Sequence, residues 1–175
     1  TNALKRRSIN QSLDELHHDK NCPYAIVLLD LDHFKNINDQ FGHHMGDTVL
    51  IAVSQKLGLH LRESDVVGRF GGEEFILILK QSSALKARQI AERCRAAIED
   101  LVIQNENGRA IRITASFGIA LAADKLKPQQ LLDQADKALY AAKASGRNQI
   151  KCYLEINPSE IKYSAACADT QHISP

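Results

Sequence analysis

No run of apolar residues in this chain of 175 approaches the roughly 18 needed to span a bilayer, and no secretory signal opens it. Charge of one sign is not in excess either: 22 Lys and Arg stand against 21 Asp and Glu, a net charge of +1. That balance alone calls for neither a nucleic-acid partner nor an acidic membrane surface, and no nucleic-acid partner is expected. The four cysteines, Cys22, Cys94, Cys152 and Cys167, lie far apart and lack zinc-ligand spacing. They read as reduced thiols in a cytosolic chain, with Cys94 in a helix core. Internal repeats and low-complexity tracts are missing. What is present is ordinary for a globular protein: 44% hydrophobic and 25% charged residues, in a length that suggests one domain. The chain starts at Thr1 rather than Met, so it reads as a fragment of a longer protein. The expected location is cytoplasmic, with an upstream sensor or regulatory domain missing and membrane anchoring of the parent protein left open.

Periodicity predicts the elements. Leu4, Ile9, Leu13 and Leu16 suggest an amphipathic lead-in helix over about 3–20, broken at Asn21-Cys22-Pro23. Tyr24 to Leu29 is a continuous apolar run and reads as a buried strand ending at Asp30. A short helix over 33–42 stops at Gly42, and a longer one runs from Asp47 to about Leu61. Val66-Val67 and Ile76 to Leu79 flank Gly71-Gly72 and predict a hairpin whose glycines supply φ > 0. A helix over 84–103 and a polar turn at 105–108 follow. Ile111, Ile113, Ala115, Phe117 and Ile119 alternate with polar or small residues, as in a half-exposed strand. Pro128 starts a helix that continues to about Ala144 and ends at Gly146, and Ile150 to Leu154 reads as a last strand. The fold class expected is α+β: one central, mostly antiparallel sheet with helices mostly on one face. The strand ending at Asp30 should lie beside the hairpin. A lead-in helix (1–20), a main domain (21–154) and a loose tail (155–175) divide the chain.

The chemistry gathers around Arg69-Phe70-Gly71-Gly72-Glu73-Glu74-Phe75. Adjacent glutamates repel, and they make sense if a cation sits there; the plain alternative is a surface turn with solvated acids. Asp30 ends a buried strand and would bring a second carboxylate from a distant segment. Such a pair suits a hard ion such as Mg²⁺, with phosphates completing its shell. As plain structure it is a strand-end cap. Lys35 offers a point charge to a triphosphate or is a solvated helix lysine, and Phe34 and Ile37 read as core. Asp47 is either a helix N-cap or, with Asn38, a reader of guanine, whose N1–H and 2-amino group adenine lacks. Arg62-Glu63-Ser64-Asp65 holds an arginine able to reach guanine O6 and N7, or an exposed ion pair. Lys143 and Arg147, at and just past a helix end, complement its dipole or clamp a polyphosphate.

Five segments in this order resemble the GGDEF family of bacterial diguanylate cyclases: Asp30-Leu-Asp-His-Phe-Lys-Asn-Ile-Asn-Asp39, Gly42-His-His-Met-Gly-Asp47, Gly71-Gly-Glu-Glu-Phe75, Thr114-Ala-Ser-Phe-Gly118 and Ala142-Lys-Ala-Ser-Gly-Arg-Asn148. The signature is the Gly-Gly-Glu-Glu-Phe variant. The resemblance runs from Thr1 to about Ile150. It implies a palm-like sheet related to class III nucleotide cyclases and the condensation of two GTP into cyclic di-GMP. It implies metal acids at Asp30 and Glu73, a carbonyl ligand at Leu31, and a base or additional metal contact at Glu74. Two Mg²⁺ or Mn²⁺ ions per half-site follow from it. GTP would be bound by Asn38 and Asp47 at the base, with His43 in the same substrate segment, and by Lys35, Lys143 and Arg147 at the phosphates, with Phe34, Gly71 and Gly72 in the matching segments. Arg62 and Asp65, joined by Arg93, would form an inhibitory site for the product. Catalysis would need a homodimer. The alternative is a catalytically silent cyclic di-GMP receptor or dimerisation module. The opening Thr1-Asn2-Ala3-Leu4-Lys5-Arg6-Arg7 departs from the family's usual start by lacking its Gly and Asn.

Overall fold

A computed structural model describes residues 6–18, 23–122 and 126–158. The remaining parts of the expected lead-in helix and tail, with Cys22 and Cys167, lie outside the described residues. In chain order the elements are α1 (Arg6–His18), β1 (Tyr24–Leu31), α2 (Phe34–Phe41), α3 (His43–Leu59), β2 (Val66–Arg69), β3 (Glu74–Lys80), α4 (Ala84–Glu99), β4 (Ile103–Gln104), β5 (Ala110–Ile111), β6 (Ala115–Leu121), α5 (Pro128–Ala144), β7 (Ile150–Cys152) and α6 (Tyr153–Ile156).

β1 is the middle strand of a five-stranded sheet ordered β2-β3-β1-β6-β7. It pairs antiparallel with β3 on one side and β6 on the other, and only the β6–β7 pair is parallel. Every residue of β1 is buried, as its unbroken apolar run requires. Alternate side chains of a strand point to opposite faces. Ala25, Val27, Leu29 and Leu31 pack with Phe75, Leu77, Leu79 and Phe117 against Val49, Val53 and Leu57 of α3 and Ala91, Cys94 and Ile98 of α4. Ile26 and Leu28 join Ile76, Ile78 and Ala120 against Ile9 and Leu13 of α1 and Leu131, Ala135 and Leu139 of α5.

The helices therefore cover both faces, not mostly one. For the same reason β6 is buried along all seven residues rather than half exposed. Its small residues mark close packing, not solvent. A Cβ on Gly118 would stand 2.2 Å from both the carbonyl oxygen of Ala135 and the backbone nitrogen of Leu139. The backbone of α5 thus rests directly on β6.

Four other boundaries differ from the sequence reading. α3 begins at His43, because Gly42, at φ 81°, turns the chain just ahead of it. Asp47 consequently sits in the second turn and is not an N-cap. α4 stops at Glu99, and the polar turn at 105–108 is the tip of a two-residue-per-strand hairpin, β4–β5, closed by Asn105 Oδ1 accepting from the N–H groups of Asn107 and Arg109. The last strand stops at Cys152, where α6 takes over. Finally, neither Gly71 nor Gly72 has positive φ. The β2–β3 loop is closed instead by the N–H groups of Phe70 and Gly71 donating to the Glu74 carbonyl, at 2.8 and 3.3 Å. The Arg69 guanidinium bonds the carbonyls of Gly71 and Gly72.

Candidate active site

The antiparallel register places Asp30 directly across from Glu74, and the Leu31 N–H donates to the Glu73 carbonyl at 3.3 Å. Acids from segments some forty residues apart thus meet at one end of the β1–β3 pair. Asp30 is buried, and its Oδ2 lies 2.8 Å from Lys143 Nζ at the end of α5. Burial pushes the Glu73 carboxyl above the ordinary glutamate value; the neighbouring Asp30 adds to that, Lys143 opposes it, and Glu74 adds again. Gly71 matters here for space: a Cβ on it would stand 2.4 Å from Glu74 Oε2, whereas a Cβ on Gly72 would meet nothing within 4 Å.

A repelling carboxylate pair served by one lysine is suited to a divalent cation. Among the described residues no group of three or more His, Cys, Asp or Glu gathers into a closed metal cage. The donor set matches an ion that uses one or two carboxylates and takes the rest of its shell from substrate phosphates and water, as Mg²⁺ does.

After two intervening residues, α2 begins at Phe34, following a left-handed turn at His33 with φ 58°. Phe34 and Ile37 are buried, as expected for core. Asn38 lies on the half-buried side of α2 and rests on Gly46 of α3, where a Cβ would stand 2.0 Å from its Oδ1. Gly46 is thus the space into which Asn38 fits. Lys35, His43 and Asp47 are exposed around this corner. The Arg109 guanidinium, from the β4–β5 hairpin, lies 5.1 Å over the Phe41 ring at the end of α2.

After α5 the chain makes a tight turn in which Gly146, Arg147 and Asn148 have φ of 111°, 62° and 44°. Arg147 is exposed at its centre. Asp32, quoted in the sequence motif without a role, anchors this turn. Its Oδ1 accepts from Ser116 Oγ at 2.7 Å, and its Oδ2 from Thr114 Oγ1 at 2.7 Å and the Asn148 N–H at 3.1 Å. The signal was present in Thr114 and Ser116, two hydroxyls spaced to share one face of a strand beside a buried acid.

Arg62 and Asp65 sit at the opposite end of β2 and β3 from Glu73. Asp65 accepts from the backbone N–H groups of Arg62, at 3.0 Å, and Lys80, at 3.2 Å. Arg93 of α4 donates to the His60 carbonyl beside the loop. The His60 ring is held below the usual histidine value by burial, then by Arg93 and Lys56. Arg62 and Arg93 are both exposed. Cys94 is buried as expected, and burial pushes its thiol up to about 12. The structure therefore gathers Asp30, Glu73, Glu74 and Lys143 at one corner, sets Asn38 against Gly46 at the α2–α3 corner, and leaves the Arg62–Asp65 loop at the far end of the hairpin.

A family model described as "Diguanylate cyclase, GGDEF domain" matches residues 1–149. Diguanylate cyclase DosC of Escherichia coli (strain K12) is 38% identical over 131 residues, 75% of this chain and 28% of DosC. Among solved structures, the GGDEF domain of DgcB from Caulobacter crescentus, in complex with c-di-GMP, aligns with TM-score 0.83 at 28% identity, over 87% of this chain and 92% of that one. The active GGEEF domain of a diguanylate cyclase from Vibrio cholerae aligns with TM-score 0.78 at 28% identity, over 87% and 98%. These neighbours have the α+β, palm-like architecture expected from the sequence. The chain spans less than half the length of the curated relatives it matches.

Proposed function

The chain belongs to the GGDEF family, and on that premise we propose that it is a diguanylate cyclase, joining two GTP into cyclic di-3′,5′-GMP with release of two pyrophosphates. The observation that carries this reading is the meeting of Asp30 and Glu73, with Lys143 Nζ 2.8 Å from Asp30 Oδ2. Asp30, Glu73 and the Leu31 carbonyl are the groups that would hold Mg²⁺ or Mn²⁺, two ions per half-site. When bound, such ions polarise the α-phosphate and lower the pKa of the attacking 3′-hydroxyl.

The protein's own part is positioning and charge neutralisation. Asn38 and Asp47 read guanine through its N1–H and 2-amino group, with His43 beside them. Lys35, Lys143 and Arg147 neutralise the phosphates. Gly71 and Gly72 let the nucleotide approach the loop, and Phe34 supports the corner from the core. The 3′-oxygen of one GTP bonds the α-phosphorus of the other, the bond to pyrophosphate breaks, and the hydroxyl proton passes to a base, the role assigned to Glu74. One domain holds one GTP, so two domains meet face to face and the active species is a homodimer. Arg62, Asp65 and Arg93 bind the product and inhibit. The catalytic unit is 21–154, and the lead-in 1–20 connects it to a sensor in a longer parent protein; at its far edge α6 continues past 154, where Glu155 pairs with Arg88. No helix among the described residues is long and apolar enough to cross a membrane. A cytoplasmic place for the domain is part of the cyclase proposal. An intact signature loop favours the cyclase over a silent receptor.

Incubation with GTP and Mg²⁺, followed by chromatographic separation, tests the reading. The expected result is a cyclic dinucleotide and pyrophosphate in a 1:2 ratio, at about one and two per pair of GTP consumed. A folded domain that binds cyclic di-GMP and leaves GTP intact would overturn it in favour of the receptor.

A further inference from the structure

We propose that Asp32 is a positioning residue for the phosphate clamp, acting through the turn that carries Arg147. The inference rests on the cyclase reading for what Arg147 does. Asp32 is 5% exposed, so its carboxylate has left water and depends on the three donors that reach it. Two of those donors are hydroxyls of the β6 segment, and the third is the backbone N–H of Asn148. The Asp32 N–H in turn donates to the Thr114 carbonyl at 2.8 Å. One side chain therefore joins the end of β1, the start of β6 and the turn after α5.

That turn would not hold its shape alone. Arg147 and Asn148 are not glycines, yet both lie in the left-handed region, which L side chains rarely adopt. Such a conformation persists where its surroundings over-determine it. Here they do so from two sides. Asp32 holds the Asn148 backbone, while the Asn148 side chain accepts from Arg95 at 2.8 Å and donates to Glu99 at 2.8 Å on α4. Gln149 adds bonds from its side chain to the carbonyls of Ala142 and Ser145. Arg147 is the exposed residue at the centre of this clamp. Lys143, one helical turn upstream, reaches Asp30, two residues before Asp32. The strand that presents the metal acid thereby sets the position of the turn that presents the phosphate cation.

The test is the affinity of a non-hydrolysable GTP analogue with Mg²⁺, measured by calorimetry on wild type, Asp32→Asn, Arg147→Ala and the double variant, with unfolding temperatures alongside. Asp32→Asn should weaken binding by about tenfold, the scale of one charged hydrogen bond, and Arg147→Ala by a similar factor. The double variant should bind within about twofold of Arg147→Ala alone, because the carboxylate has nothing left to position. Losses in affinity that multiply, or wild-type affinity in Asp32→Asn, would overturn the proposal. A folded wild type that fails to bind the analogue would sink the cyclase reading and this inference with it. Binding lost on Arg147→Ala but kept in Asp32→Asn would sink this inference alone. Should Asp32→Asn not fold, Thr114→Val removes a donor from the same oxygen that receives Asn148, and is judged by the same non-additivity.

Discussion

Gly46→Ala should separate folding from recognition. The new methyl would stand 2.0 Å from Asn38 Oδ1 and 3.1 Å from Phe34 Cζ, well inside van der Waals contact with the first. The crowded atom is the end of a flexible side chain, so Asn38 can rotate away while α3 stays in place. Replacing a helix-interior glycine with alanine stabilises by about 0.5–1 kcal/mol, which offsets the cost of a displaced rotamer. Net stability should therefore change by less than about 1 kcal/mol, a shift of about 4 °C or less in unfolding temperature for a chain of this size. Recognition should suffer more. If Asn38 reads the base as proposed, loss of its hydrogen bond would cost about 1–3 kcal/mol, equivalent to about 5- to 150-fold in KM for GTP. The assay is steady-state kinetics with GTP and with inosine triphosphate, which lacks the 2-amino group. Wild type should prefer GTP, and Gly46→Ala should lose most of that preference with kcat less affected. An unchanged preference would refute the guanine-reading role of Asn38. A fall in unfolding temperature of 10 °C or more would refute the premise that the side chain, not the helix, gives way.

Gly118→Ala should have the opposite balance: its methyl meets backbone atoms of α5 at 2.2 Å, so the helix must shift, and destabilisation by about 1–3 kcal/mol should appear in thermal unfolding. Wild-type stability there would contradict the packing of α5 on β6. Glu73→Gln should abolish turnover yet stabilise the metal-free domain at neutral pH. The sign follows from the raised carboxyl: the folded state holds the proton more tightly, so stability falls as pH rises from the ordinary glutamate value through the folded one. In a chelator, the advantage of the Gln variant should vanish below about pH 4, and no advantage at pH 7 would remove the claim of strain. Arg62→Ala should leave the initial rate intact and relieve product inhibition in a progress-curve assay; inhibition that persists unchanged would detach Arg62 from the regulatory site.

The sequence was most legible where one physical cause dominates. β1 has an unbroken apolar run because both its faces are covered, and Asp30 stands out because an acid ends that run. Gly71-Gly72 marked the hairpin, though for an incorrect reason: the loop needs room beside Glu74, not positive φ. The start of α3 was hidden because Gly42 and Gly46 both look like loop residues, and only the Asn38 side chain explains a glycine inside the helix. Ser116, Gly118 and Ala120 mimic solvent-facing positions in the pattern of β6, because small size reads like exposure until Asp32 is seen to bond Ser116 and α5 to cover Gly118 and Ala120. The β4–β5 hairpin is too short to leave a period. Asp32 went unassigned since its partners, Thr114, Ser116 and Asn148, come from across the chain.

The ammonium of Lys143 already occupies the charge position beside Asp30 that a divalent ion would claim. On the proposed metal role, loading would bring a second cation onto a carboxylate that already holds an ammonium at one oxygen, and a free ion offers the lysine no other anion. A nucleotide arriving with the ion offers its phosphates as the new resting place for that lysine. Ion and triphosphate should consequently assist each other's entry, and the domain should respond to the chelate far more readily than to either component alone.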